Sequence, residues 1–233
     1  MDREARQFAQ EMVELIHKRR SFGGHPLWFR IQNGEIEKDH LKIFAQQFFL
    51  QVREFPRAIS AIHSNCPYPE ERAELADNIY EEDTGKLSGC NCSHPELFIR
   101  FAEALGLHRD EVINGLPLPE TAALINWFEL VSKQRPYLEA TAAMTMAAEG
   151  QVPGAFGKLA EGLRQHYGFS EQAVAFWDLH EIADAEHSDV GDHAVVRHAN
   201  TAPLQAAVRA AVEQSLSRWW NFFDGIERAI DAA

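Results

Sequence analysis

Apolar residues recur at helical spacing along almost the whole chain, and no segment alternates apolar with polar residues as a half-buried strand would. A chain patterned this way must bury helical stripes against one another, which predicts an all-α helical bundle. Phe8, Met12, Leu15 and Ile16 share one face of a first helix, which the turn Ser21-Phe22-Gly23-Gly24 closes. A short helix follows from Pro26 to Asn33-Gly34. From about residue 38 to residue 65, Leu41, Phe44, Phe48, Ile59 and Ile62 continue one pattern, and Pro56 is expected to kink or split it. Pro69 opens the next helix and Gly85 stops it; residues 84–93 read as a loop, and His94-Pro95 opens a helix ending at Leu105-Gly106. Further helices are predicted over 118–134, 136–166, 170–198 and 202–231, with Gly150 and Pro153 inside the second of these. The expectation is a single domain over residues 1–233, built of seven or eight helices with short connections.

Charge excludes some partners. Acidic residues outnumber basic ones by 35 to 22, for a net charge of −13, a field that repels a phosphate backbone and argues against nucleic acid. No run approaches the ~18 apolar residues that span a bilayer, and the N-terminus lacks the apolar core of a signal peptide. Three cysteines do not make a disulfide framework, so a soluble, reducing, cytoplasmic setting is expected.

Three polar features interrupt the apolar pattern. At ~100° per residue, His180, Asp184 and His187 fall within about 60° of arc on one helix, so two imidazoles and a carboxylate converge within two turns. Such a face suits a transition metal. Its alternative is a solvated polar helix, and Phe176, Trp177, Leu179 and Ile182 argue that this one is partly buried. Glu149 ends the run Ala142-Ala143-Met144-Thr145-Met146-Ala147-Ala148, where a lone carboxylate must be paired, protonated or metal-bound. Glu82 shares a face with Leu75 and Ile79, while Glu81 is turned about 100° away. His94, opening the next helix, is placed to approach the same centre. Taken together these are three carboxylates and three imidazoles on separate helices, a set suited to two divalent irons rather than to a closed four-ligand zinc site. Cys90-Asn91-Cys92-Ser93-His94 also admits a zinc reading; it lacks a fourth ligand, Cys66 being the only other thiol, and free loop thiols are the default.

The order and spacing of these residues resemble the haem-oxygenase-like diiron oxidases and oxygenases, related to PqqC/TenA-like proteins. Within them the resemblance is greatest to the para-aminobenzoate synthases, the group of the chlamydial protein associating with death domains. Phe55-Pro56, Ile59-Ser60-Ala61-Ile62-His63-Ser64, the block Asn78, Glu82, Gly85, His94, and Glu149-Gly150-Gln151-Val152-Pro153 carry it, with His166-Tyr167-Gly168-Phe169 and His180-x3-Asp184-x2-His187. The asparagine four residues before the first ligand favours Glu82 over Glu81. The resemblance implies two iron ions (Fe/Fe, or Mn/Fe) on Glu82, His94, Glu149, His180, Asp184 and His187. It also implies catalytic roles for Glu82, Glu149, His180 and Asp184, O2 as co-substrate, an external electron donor and a homodimer.

Those synthases consume a tyrosine of their own chain. Here the matching stretch is His25-Pro26-Leu27-Trp28, with tryptophan in that place; Ala148 stands where a tyrosine precedes the third ligand, and Leu159, beside Lys158, where a lysine is expected. The reading is therefore an oxidase or oxygenase acting on a diffusible amino acid, carboxylic acid or amine; Trp28, Phe48, Phe49 and Trp177 are candidates to shape its pocket, with core packing the expected role for most of them. The alternatives are a self-sacrificing synthase, a cofactor-independent PqqC-like oxidase, a TenA-like hydrolase needing a core cysteine, and a non-enzymatic partner protein.

Overall fold

The computed structural model describes residues 3–233, apart from the side chains of residues 182–189. It is helical throughout, with no strand among the described residues. The helices are α1 (Arg3–Arg19), α2 (Pro26–Gln32), α3 (Leu41–Val52), α4 (Phe55–Asn65), α5 (Pro69–Thr84), α6 (His94–Ala104), α7 (Arg109–Ile113), α8 (Pro119–Gln134), α9 (Tyr137–Thr141), α10 (Phe156–Tyr167), α11 (Glu171–His198) and α12 (Ala202–Asp231). Among the described residues that is twelve rather than the expected seven or eight, and three physical causes account for most of the excess. Pro56 splits the 38–65 pattern into α3 and α4; α7 is too short to show a period; and the 136–166 pattern breaks around Glu149.

Helix ends follow local chemistry. Pro69 and Pro95 sit in first turns, where the missing N–H costs nothing. Ser93 caps α6 by accepting from Glu96 N, and Ser170 caps α11 by accepting from Ala173 N. Gly85 closes α5 in the left-handed region at φ 58°, and a Cβ there would meet Cys90 Sγ and Cys92 O at 2.2 Å.

Helix α11 is the axis of the fold, packed against α6, α10, α1 and the segment after α9. That segment is a π-helical turn, Ala142–Met146, whose widening is held by tertiary contacts. Ala147 N bonds to Ala142 O at 2.9 Å, and Ser215 Oγ of α12 donates to Ala143 O at 2.8 Å. Gly191 of α11 lies so close that a Cβ would meet Met146 N at 2.7 Å. A 3-10 turn, Glu149–Gln151, follows, and Gln151 locks it by donating to Ala147 O and accepting from Ser21. Pi turns recur at functional sites because they re-aim one side chain out of helical register; here the side chain just beyond is Glu149.

The buried apolar residues form one contiguous core from Phe8 to Ile230. No helix of the described residues is long and apolar enough to cross a membrane.

Candidate metal centre

Four elements bring the site together: the end of α5 with Glu81 and Glu82, the start of α6 with His94, the 3-10 turn with Glu149, and α11 with His180. All five side chains are buried. One ligand atom each from Glu82, His94 and His180 lies within 4.8 Å of the others. His94 Nδ1 is 3.0 Å from Glu82 Oε1, and His180 Nε2 is 4.0 Å from the same oxygen.

In the neutral ring, the hydrogen bonds of each histidine select one tautomer. His180 Nδ1 lies 2.7 Å from Phe176 O; a carbonyl only accepts, so Nδ1 carries the proton and Nε2 keeps its lone pair toward Glu82. His94 Nε2 lies 3.3 Å from Glu81 Oε1, which likewise places the proton on Nε2 and the lone pair on Nδ1. His94 Nδ1 makes no hydrogen bond among the described residues despite its 3.0 Å approach to Glu82, so the two atoms meet outside hydrogen-bonding geometry. A positive charge at that contact, a proton on the imidazole or a bound cation, would relieve it. In the metal-free chain burial pushes the His94 imidazolium down, but the charge of Glu82 and the contacts to both carboxylates outweigh it and hold its pKa above the ordinary value.

Glu149 completes the arrangement. Asn78 Nδ2 donates to its Oε1 at 3.2 Å, while Oε2 is buried with no hydrogen-bond partner among the described residues. Burial drives its pKa up to about 8; Asn78 opposes the shift and the charge of Glu82 adds to it. The sign for stability follows. An unfolded carboxyl ionises near 4.5, whereas the folded one keeps its proton to about 8. The contribution of Glu149 to the stability of the metal-free chain is therefore expected to be fully present below about 4.5 and to be lost as pH rises through about 8, and the contribution of the raised His94 acts in the same direction above 6.5. Thermal melts across that window check this; Glu149→Gln should flatten the lower part of the fall.

Glu81 was turned from the core by helical facing, yet it is buried against His94. The loop after Gly85 folds back over it, and Glu81 Oε2 accepts from Leu87 N at 2.8 Å and Ser88 N at 3.1 Å. Glu81 is thus the carboxylate that orients the His94 ring, and Glu82 the one whose oxygen lies with the ligand atoms of His94 and His180. Loss of such an orienting partner costs about 10- to 100-fold in metal affinity. Glu81→Gln is expected to weaken iron binding within that range, read by competition with a chelator. No local sequence signal marked Glu81, because the loop that buries it lies outside the helix.

Beside the cluster lies a cavity of about 50 Å³ lined by Glu82, Glu149 and His180. Its wall is apolar (Phe22, Phe48, Phe55, Phe176, Trp219) except for Gln51. Of the four candidate aromatics, Phe48 lines the cavity, and Trp28, Phe49 and Trp177 pack in the core as expected for most of them. Asp184 and His187 lie outside the described residues. The three thiols are free: Cys66 and Cys92 are buried, Cys90 is exposed, and none joins the metal cluster among the described residues.

With this geometry in hand, likeness to known proteins is informative. Residues 42–220 match the family model described as iron-containing redox enzyme. The chain is 29% identical to a 4-aminobenzoate synthase of Nitrosomonas europaea over 227 residues, 93% of this chain and 90% of that protein. It is 26% identical over 208 residues to a pyrroloquinoline-quinone synthase of Xanthomonas euvesicatoria, 88% of this chain and 81% of that one. A solved TenA homologue from Pseudomonas syringae shares the fold at a TM-score of 0.78 and 15% identity, covering 95% of this chain and 92% of that chain. The chain belongs to the haem-oxygenase-like family of iron-containing redox enzymes.

Proposed function

We propose that this chain is a non-haem iron oxidase or oxygenase that uses O2 to oxidise a small diffusible substrate, an amino acid, carboxylic acid or amine. Its centre is two iron ions held by Glu82, His94, Glu149, His180, Asp184 and His187. The observation that carries the reading is the convergence of Glu82, His94 and His180, all buried, on one point. Asp184 and His187 enter by spacing, one and nearly two turns beyond His180 on α11. Three carboxylates would offset most of the charge of two divalent ions, and the mixed nitrogen and oxygen donor set suits iron.

Bound iron would supply the electrons that reduce O2. The chain's own residues do the rest. Glu81 and the Phe176 carbonyl fix the two imidazoles in the tautomers that leave a lone pair toward the cation. Asn78 holds one oxygen of Glu149 and leaves the other for a second ion. The aromatic wall keeps bulk water from the reacting groups.

A diffusible substrate is supported by the cavity itself. Among the described residues no tyrosine, lysine or cysteine lines it, so neither a sacrificed side chain nor a thiol nucleophile stands beside the cluster. Trp28, which takes the place of the sacrificial tyrosine, is fully buried and stacks on Phe156 at 5.4 Å between centroids.

A mononuclear centre is the second reading, because Glu82, His94 and His180 alone make the two-histidine, one-carboxylate set of non-haem iron oxygenases. Anaerobic Fe(II) titration separates the two. About two irons per chain, falling in Glu149→Ala, are expected; one iron indifferent to Glu149→Ala favours the mononuclear centre, and none sinks both. Exposure of the loaded protein to O2 should then consume oxygen in proportion to its iron.

A further inference from the structure

The described wall of the cavity beside the cluster is buried except at one residue, Phe55, which is only partly so. The sequence explains why Phe55 stands there. Helix α3 ends at Val52 and α4 starts at Phe55, because in a continuous helix the ring of Pro56 would clash with the carbonyl of Val52. Phe55 therefore occupies a joint in the wall. Its ring packs edge-on against Phe128 at 6.1 Å between centroids, and Phe128 in turn packs against Trp219 at 5.7 Å. Trp219 lines the inner cavity, whereas Phe128 lines a second hollow of about 160 Å³ between α4 and α8. The contact of Phe55 with Phe128 is thus a partition between the two spaces. Each cation of the outer hollow is paired with an anion of the same hollow, Arg57 Nη1 with Glu54 Oε2 at 2.8 Å and Lys133 Nζ with Glu129 Oε1 at 2.9 Å. With its charges matched in this way, the hollow sorts what enters by width rather than by charge.

We infer that the outer hollow is the entrance to the inner cavity and that Phe55 is its gate, a specificity-determining residue that admits the slender, unbranched end of a substrate and holds back a bulky one. A half-buried ring has solvent on one side and can change rotamer, whereas the close-packed rings of the buried wall cannot move singly. The open rotamer gives up the edge-on contact with Phe128, which holds the gate shut by about two- to tenfold. A molecule wider than the space the ring vacates must also displace Phe128 or Trp219, both buried. The inference rests on the iron-enzyme reading of the same cavity for the nature of what passes, and deepens it by saying where the substrate enters and what shape it has.

The test is dynamic quenching of tryptophan fluorescence in the full metal-free chain by two neutral quenchers, acrylamide and the wider succinimide. Trp219 lines the inner cavity, so the difference between a chain and its Trp219→Phe counterpart isolates the emission that reports entry. In the parent chain acrylamide is expected to reach Trp219 more readily than succinimide. Phe55→Ala should raise the acrylamide quenching constant by about two- to tenfold, the factor by which the ring contact holds the gate shut, and should raise that of succinimide by more. Phe55→Trp should lower both. Phe55→Leu, which removes the ring and keeps most of the apolar bulk, should shift both quenchers in the same direction as Phe55→Ala, and decides if that variant does not fold. Val152→Ala, at a buried position of the same wall, should leave both constants near the parent values. A folded Phe55→Ala or Phe55→Leu chain with unchanged quenching, or Val152→Ala opening the cavity as far, overturns the gate. The iron reading fails separately: a gated chain that takes up no iron sinks that reading alone, and a two-iron chain whose quenching ignores residue 55 sinks only the gate.

Discussion

His94→Ala is expected to lower iron affinity by more than about a hundredfold, beyond the range for loss of an orienting partner, because it removes a ligand and strands its neighbours. His94 is 1% exposed and stands between two carboxylates, with Glu81 on Nε2 and Glu82 against Nδ1. Without the ring, Glu82 loses the imidazole nitrogen 3.0 Å from its Oε1, and the orienting role of Glu81 has nothing to act on. Glu81 keeps its two backbone donors from Leu87 and Ser88, so the loop should stay in place. The loss is thus expected in metal binding more than in the fold. Competition against a chelator under anaerobic conditions reads the affinity, and circular dichroism of the metal-free variant reads the fold. An affinity within tenfold of the parent chain, with the fold intact, would remove His94 from the ligand set.

The contrast between Glu81 and Glu82 shows what a sequence can and cannot disclose. Helical facing separates the two correctly as far as the helix is concerned, and Glu82 does face the cluster. Glu81 is buried by something the helix does not contain, the return of the loop after Gly85. Elements bounded by strong local chemistry were legible almost to the residue: Pro69 to Gly85, His94 to Ala104, and the two long final helices. The region around Glu149 was legible only as a disturbance marked by Gly150 and Pro153. Its π turn depends on Ser215 and Gly191, which are distant in sequence, so no local pattern announces it. Gln51 was invisible for a different reason. Every residue from Gln47 to Val52 is buried, which erases the periodic contrast that would single one out.

The same aromatic core that hides such signals makes Trp177 the most consequential packing residue near the site, and Trp177→Ala is expected to cost about 3–5 kcal/mol of stability. Trp177 is fully buried one turn before His180, and its ring meets seven others, from Phe156 at 5.0 Å to Trp28 and Phe44 at 6.1 Å between centroids. Those rings come from α2, α3, α6, α10 and α11, so the indole is the point where five helices share one contact surface. Its Nε1 has no hydrogen-bond partner among the described residues, so truncation leaves no polar group newly stranded and the loss is one of packing. The cost should sit near the upper end of that range, because helices held on all sides cannot collapse into the space. Chemical denaturation of the metal-free protein measures it, with the slope against denaturant unchanged if the unfolding remains two-state. Iron affinity should fall by less than in His94→Ala, since His180 keeps its Phe176 carbonyl. A loss below about 1 kcal/mol would mean that the rings repack around the gap, and α11 would then owe its position to Gly191 and the π turn instead.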